Sequence, residues 1–113
     1  MNSQYSIFEH SGVLILQVPN LLNEFENKKI LEAANTRIEE GFSNFVVDLS
    51  GTEYMNSVGL NFLISMKKKS MQLEGQLILV NPSNKIVSLL EITKLRDKFN
   101  LKPTVEEALK ALA

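Results

Sequence analysis

Three short apolar runs, VLILQV, NFVVDL and QLILV, constrain this chain most, because each is strand-sized and is followed by a segment of helical periodicity. The first run is preceded by YSIFEH and the turn residues Ser11 and Gly12, which together read as a strand, a tight reversal and a second strand. Pro19 and Asn20 stop the second strand. Asn23 with Glu26 three residues later has the form of a capping box, and Leu31, Ala34 and Ile38 repeat at helical spacing up to a stop at Gly41. NFVVDL, rich in β-branched and aromatic residues, follows as a buried strand. A second helix is expected from Ser57 to Leu73, ended by Gly75, and QLILV supplies the next strand. The turn NPSN caps a third helix, KIVSLLEIT. A final edge strand is expected around KFN, and Thr104 and Glu107 open a last helix with Val105, Ala108, Leu109 and Leu112 on one face. Strands that alternate with helices predict one α/β domain over residues 1–113. Its sheet of four or five strands carries about four helices, and the opening hairpin makes it mixed.

The length of 113 residues fits one core and not two. A formal net charge of −1 gives no ground for electrostatic capture of nucleic acid or an anionic membrane. No apolar stretch approaches the roughly 20 residues of a membrane span. The N-terminus MNSQYSIFEH lacks the basic and apolar regions of a secretory signal, so a cytoplasmic address is expected. Without cysteine there is no disulfide framework or thiolate chemistry. The only histidine, His10, is expected at the end of the first strand, with nothing to bring it to Ser57 and Asp48 as a triad. Gly51 and Gly59 do not make a phosphate loop, and no cluster of His and Cys could ligate a metal. The expectation is a protein that is not an enzyme and needs no cofactor.

The stretch VVDLSGTEYMNSVGL places Ser57 where a loop beyond a strand's carboxyl end opens a helix. Open α/β sheets keep their sites in such loops. Ser57 is expected to cap this helix, whose N-terminus also favours an anion through its dipole and free amides. At about 100° per residue, Ser57, Asn61, Ser65, Lys68 and Gln72 form one polar stripe. Leu60, Leu63, Ile64 and Met71 lie to one side and are expected on the sheet. Phe62 and Met66 lie to the other, either as core or as an apolar rim for a partner. Lys67-Lys68-Lys69 reads as a solvated face.

The order strand, DLS, loop, NSVGL, helix, GQLILVNPS, helix resembles the STAS domain, the fold of bacterial anti-sigma factor antagonists, from about Tyr5 to the last helix. The family's signature is an Asp-Ser-small-Gly-Leu run at the start of the second helix. Ser57, Gly59 and Leu60 match it, and Asp48 matches the acid ending the preceding strand. Asn56 stands where the family usually has aspartate. VPNLLNE stands where phosphorylated members tend to carry a glycine and two acids, so the rim around the serine is less acidic. The resemblance implies that Ser57 is phosphorylated by a partner anti-sigma factor, a serine kinase of the histidine-kinase-like ATPase fold, and that a metal-dependent serine phosphatase reverses this. The expected partner face comprises Asn56, Ser57, Val58 and Asn61, then Phe62, Ser65 and Lys68, and the start of the third helix at Ser83 and Asn84. The alternative is a STAS adaptor without phosphoregulation, held in a larger assembly for transport, lipid handling or stress signalling.

Overall fold

The computed structural model describes residues 4–113, so the first three residues of the expected 1–113 domain lie outside the described residues. Two strands, β1 (Ser6–His10) and β2 (Val13–Gln17), form an antiparallel hairpin through Ser11 and Gly12, both at positive φ as a two-residue hairpin turn requires. The chain then runs through α1 (Glu24–Ile38), β3 (Phe45–Asp48), α2 (Ser57–Gln72), β4 (Leu77–Val80) and α3 (Asn84–Ile92). A one-turn 3-10 helix (Arg96–Lys98), β5 (Asn100–Lys102) and α4 (Val105–Leu112) complete it. The sheet order is β1-β2-β3-β4-β5, with every pair after the first parallel. The edge strand expected around KFN begins one residue past Phe99, whose ring is buried.

Adjacent parallel strands joined by right-handed crossovers put all their connecting helices on one face. The core records this. Leu14, Leu16, Phe45, Val47, Leu77 and Leu79 point to the face covered by α1, α2 and α3, where they meet Ile30, Leu63 and Ile86. The intervening residues Val13, Ile15, Val46, Ile78 and Val80 point the other way, onto Ala108, Val105, Leu109 and Leu112 of α4. This is why the three central runs are apolar on successive positions rather than alternate ones: both faces are covered.

The first helix begins as its capping box suggests, with Asn23 Oδ1 accepting the Glu26 amide at 3.0 Å. Thr104 does the same for Glu107 at 3.2 Å in α4. Gly75 ends the α2 crossover at a close approach to the strand beside it. A methyl group there would collide with the Ser43 carbonyl, next to where Asn44 Oδ1 accepts the Gln76 amide at 2.8 Å. Gly75→Ala should therefore destabilise the fold by about 1–3 kcal/mol through overpacking against backbone. Urea denaturation checks it, and a midpoint equal to wild type would show that the backbone yields there.

Candidate functional site

The loops β2–α1, β3–α2 and β4–α3 meet beyond the carboxyl ends of the parallel strands, and polar side chains stitch them together. Thr52, 1% exposed, shares its hydroxyl proton between the carbonyls of Val18 and Pro19 at 2.9 and 3.0 Å. Asn20 Oδ1 accepts the Glu53 amide at 2.8 Å. Ser83 donates to the Glu53 carbonyl at 2.7 Å while its oxygen accepts the Ile86 amide, so one hydroxyl both caps α3 and ties it to the neighbouring loop. Asp48 closes the system. Its carboxylate accepts Asn81 Nδ2 at 2.9 Å, the Ser50 amide at 3.0 Å and Gln17 Nε2 at 3.3 Å. Burial pushes the Asp48 pKa up, but these hydrogen bonds outweigh it and hold the carboxyl below its usual value.

On this rim the helix cap differs from the expectation. Asn56, not Ser57, is the N-cap: its Oδ1 accepts the amides of Val58 and Gly59 at 3.0 and 3.3 Å. Ser57 is the first helical residue, exposed and outside the cap. Asparagine has the same short acceptor as aspartate, so it caps equally well without adding charge. Two of the amides expected to be free for an anion, those of Val58 and Gly59, are thus taken by Asn56, while the dipole of α2 still favours negative charge at Ser57. Two residues on, Gly59 lets α2 descend onto Met55 and Leu21. A Cβ at Gly59 would lie 2.8 Å from Met55 Cβ and 3.3 Å from Leu21 Cβ.

The rotation of α2 corrects a second expectation. Phe62 (2% exposed) and Met66 (1%) are core, packed with Leu60 and Leu63, whereas Met71 is 62% exposed. The buried arc is centred directly opposite the polar stripe, so both flanks turn inward and Met71 falls outside it. Phe62 therefore leaves the expected partner face. Asn56, Ser57, Asn61, Ser65, Lys68 and Asn84 are exposed, and Val58 and Ser83 are half-buried. Ser83 and α2 meet through the β3–α2 loop, which brings the start of α3 beside Ser57's end of the helix.

His10 pairs with Val13 at the edge of the sheet where the parallel strands begin, the opposite edge from Ser57. A polar groove of about 1110 Å³ runs along the β2–α1 loop. Of the amides that line it, Gln17, Asn20, Asn23 and Asn27 each make a hydrogen bond within the chain. Among the described residues no helix is long and apolar enough to cross a membrane.

The family model of the STAS domain matches residues 4–108. The chain belongs to the STAS domain family. A candidate anti-sigma factor antagonist from Thermotoga maritima superposes with a TM-score of 0.86 at 21% identity, covering 96% of this chain and 93% of that one. An anti-sigma-factor antagonist (STAS) domain protein from Planctomyces limnophilus gives 0.82 at 21% identity, covering 96% and 97%. The Bacillus cell fate determinant SpoIIAA in its phosphorylated form gives 0.75 at 17% identity, covering 97% and 100%. These likenesses fix the STAS fold. Sequence reading had found Asp48, Asn56 and Ser57 on the rim but missed Thr52, Asn20 and Asn81. Their only signal was polar residues in short loops between strands and helices.

The cap assignment separates two neighbouring residues. Asn56→Ala should cost about 1 kcal/mol (0.5–2), Asn56→Asp almost nothing, and Ser57→Ala less than about 0.5 kcal/mol. Chemical denaturation checks it, and a Ser57→Ala loss exceeding that of Asn56→Ala would move the cap back to Ser57. The lowered pKa of Asp48 sets a pH dependence. Its contribution to stability is complete above the unfolded aspartate value of about 3.9 and is lost as pH falls through the lower folded value. The stability gap between wild type and Asp48→Asn should be constant above about pH 5 and shrink in acid. A gap that widens on acidification contradicts the sign.

Proposed function

We propose that this STAS domain is an anti-sigma factor antagonist acting in the cytoplasm and switched by phosphorylation at Ser57. The observation that carries this reading is an exposed serine hydroxyl at the first residue of α2, on a rim whose three loops are pinned to one another. Its partner is an anti-sigma factor serine kinase of the histidine-kinase-like ATPase fold. The γ-phosphoryl group of ATP passes to Ser57 Oγ, ADP leaves, and the serine proton goes to a base of the kinase. A metal-dependent serine phosphatase returns the hydroxyl. The phosphorylated form of SpoIIAA, of the same fold, supports the reading.

The switch is charge. A phosphate adds about −1.5 to −2 at neutral pH. The first turn of α2 holds no acid, so the dipole stabilises that charge in the free protein. Under a partner covering Asn56, Ser57, Val58, Asn61, Ser65, Lys68, Ser83 and Asn84, the same charge is desolvated and costs several kcal/mol unless paired. Dissociation then quickens more than association slows. One observation favours a second reading, an adaptor without phosphoregulation: Asn56 keeps the cap but lacks the acid beside the serine.

Incubation with ATP and the cognate kinase, followed by intact mass, separates the two readings. One added phosphoryl group that Ser57→Ala abolishes is the expected result, and an unchanged mass leaves the adaptor. Bulky substitutions at Asn61 or Lys68 should weaken partner binding about tenfold with thermal unfolding unchanged. Substitutions at Glu106 or Lys110, on the opposite face of the sheet, should do neither. The reverse pattern would place the partner on α4.

A further inference from the structure

The sheet has two outer strands, and they are finished differently. β5 is three residues long, carries Lys102 and runs directly into Pro103. Short length, lysine and proline are devices that keep an edge strand from pairing with another chain. β1 has none of them. It spans five residues in unbroken register with β2, without a bulge, a proline or a lysine. Its one acid, Glu9, is turned back onto the hairpin, where Oε2 accepts the Gly12 amide at 3.4 Å.

The register decides which backbone groups the open edge offers. The Leu14 amide donates to the Asn44 carbonyl, so Leu14 and Leu16 face β3 while Val13, Ile15 and Gln17 face β1. Their partners His10, Phe8 and Ser6 therefore use their amides and carbonyls within the hairpin. Ile7 and Glu9 point theirs outward, and among the described residues no strand lies beyond β1. Phe8 stands across from Ile15 on the face that carries α4. That helix packs over β3, β4 and β5, and Phe8 remains 41% exposed.

We infer that β1 pairs with β1 of a second copy, antiparallel about a two-fold axis at Phe8, which joins the two five-stranded sheets into one. Ile7 of each copy then faces Glu9 of the other, and each such pair exchanges two backbone hydrogen bonds. Phe8 meets Phe8 of the second copy in the non-hydrogen-bonded position, where side chains approach closely and an aromatic pair adds to the pairing. Charge and apolar surface select this register. Centred on Glu9, two carboxylates would stand opposite each other, and centred on Ile7, each Phe8 would face Ser6. The occupant is a single second copy because the other edge is closed at β5, so pairing stops at two and does not grow into a ribbon. The axis stands perpendicular to the sheet. It keeps α1, α2 and α3 of both copies on one side and sends the two Ser57 rims to opposite ends, so the dimer does not depend on the state of Ser57.

The contact uses five residues of each copy, against the roughly 20–30 a side of a standard interface, so association is weak and is sought at high concentration. The test is sedimentation equilibrium of the whole chain from about 10 μM to about 1 mM. The wild-type average mass should rise toward that of two copies, and Ser57→Asp should behave the same way. Phe8→Lys sets two ammonium groups at the axis, and Glu9→Pro removes an outward amide that makes no bond within the hairpin. Each should weaken association at least about tenfold and leave thermal unfolding of the dilute protein within a few degrees of wild type. Amide hydrogen exchange at Ile7 and Glu9 should slow as concentration rises. A wild-type chain that stays monomeric throughout overturns the proposal. So does a dimer that survives Phe8→Lys, or slowed exchange confined to other segments. Assembly beyond two copies overturns the closed two-fold.

Discussion

The carboxylate of Asp48 ends the central strand and receives hydrogen bonds from β2, from the loop behind it and from the turn before α3. A buried carboxylate is costly unless its lone pairs are filled, and here they are filled by three groups from three different segments. The network therefore fixes where those segments run. Thr52, Asn20 and Ser83 extend it across the rim, and no buried side-chain nitrogen or oxygen among the described residues is left without a partner. A fully satisfied polar network of this kind specifies one arrangement, because a partial rearrangement strands a donor or acceptor away from water. The start of α2 inherits that rigidity. Asn56 caps it, Gly59 seats it on Leu21 and Met55, and Ser57 is displayed at a defined place rather than on a mobile loop.

Much of this architecture was legible because the strands and helix starts use strong local signals. VLILQV, NFVVDL and QLILV sit between turn residues, and Asn23, Ser83 and Thr104 precede their helices as short side chains that can accept a backbone amide. The junction at Asn56-Ser57 defeated that logic, since both residues are good caps and the sequence offers no rule for choosing between neighbours. The choice falls on Asn56, whose backbone is still extended at φ −114° while Ser57 is already helical. Rotation of α2 was legible only to within one flank. Phe62 and Met66 are apolar and at helical spacing, but whether that flank meets core or solvent depends on α1, which packs beside α2. The stitching residues were the least legible part. Thr52 and Asn20 are bonded across 33 or 34 positions of sequence, and nothing local to either announces its partner.

Charge supplies a link between the rim and the helices that composition conceals. The net charge of −1 is the sum of two opposed halves. Residues 1–56 hold eight acids against three bases, while residues 57–98 hold seven bases against three acids. Ser57 stands at the boundary, as the first residue of the basic half. A phosphate of about −1.5 to −2 there would offset close to half of the local excess of four positive charges. Screening confines the field of such a phosphate to within roughly 8 Å at physiological ionic strength. Modification of Ser57 would thus act on the surface around the start of α2 and not on α4, which packs across the sheet.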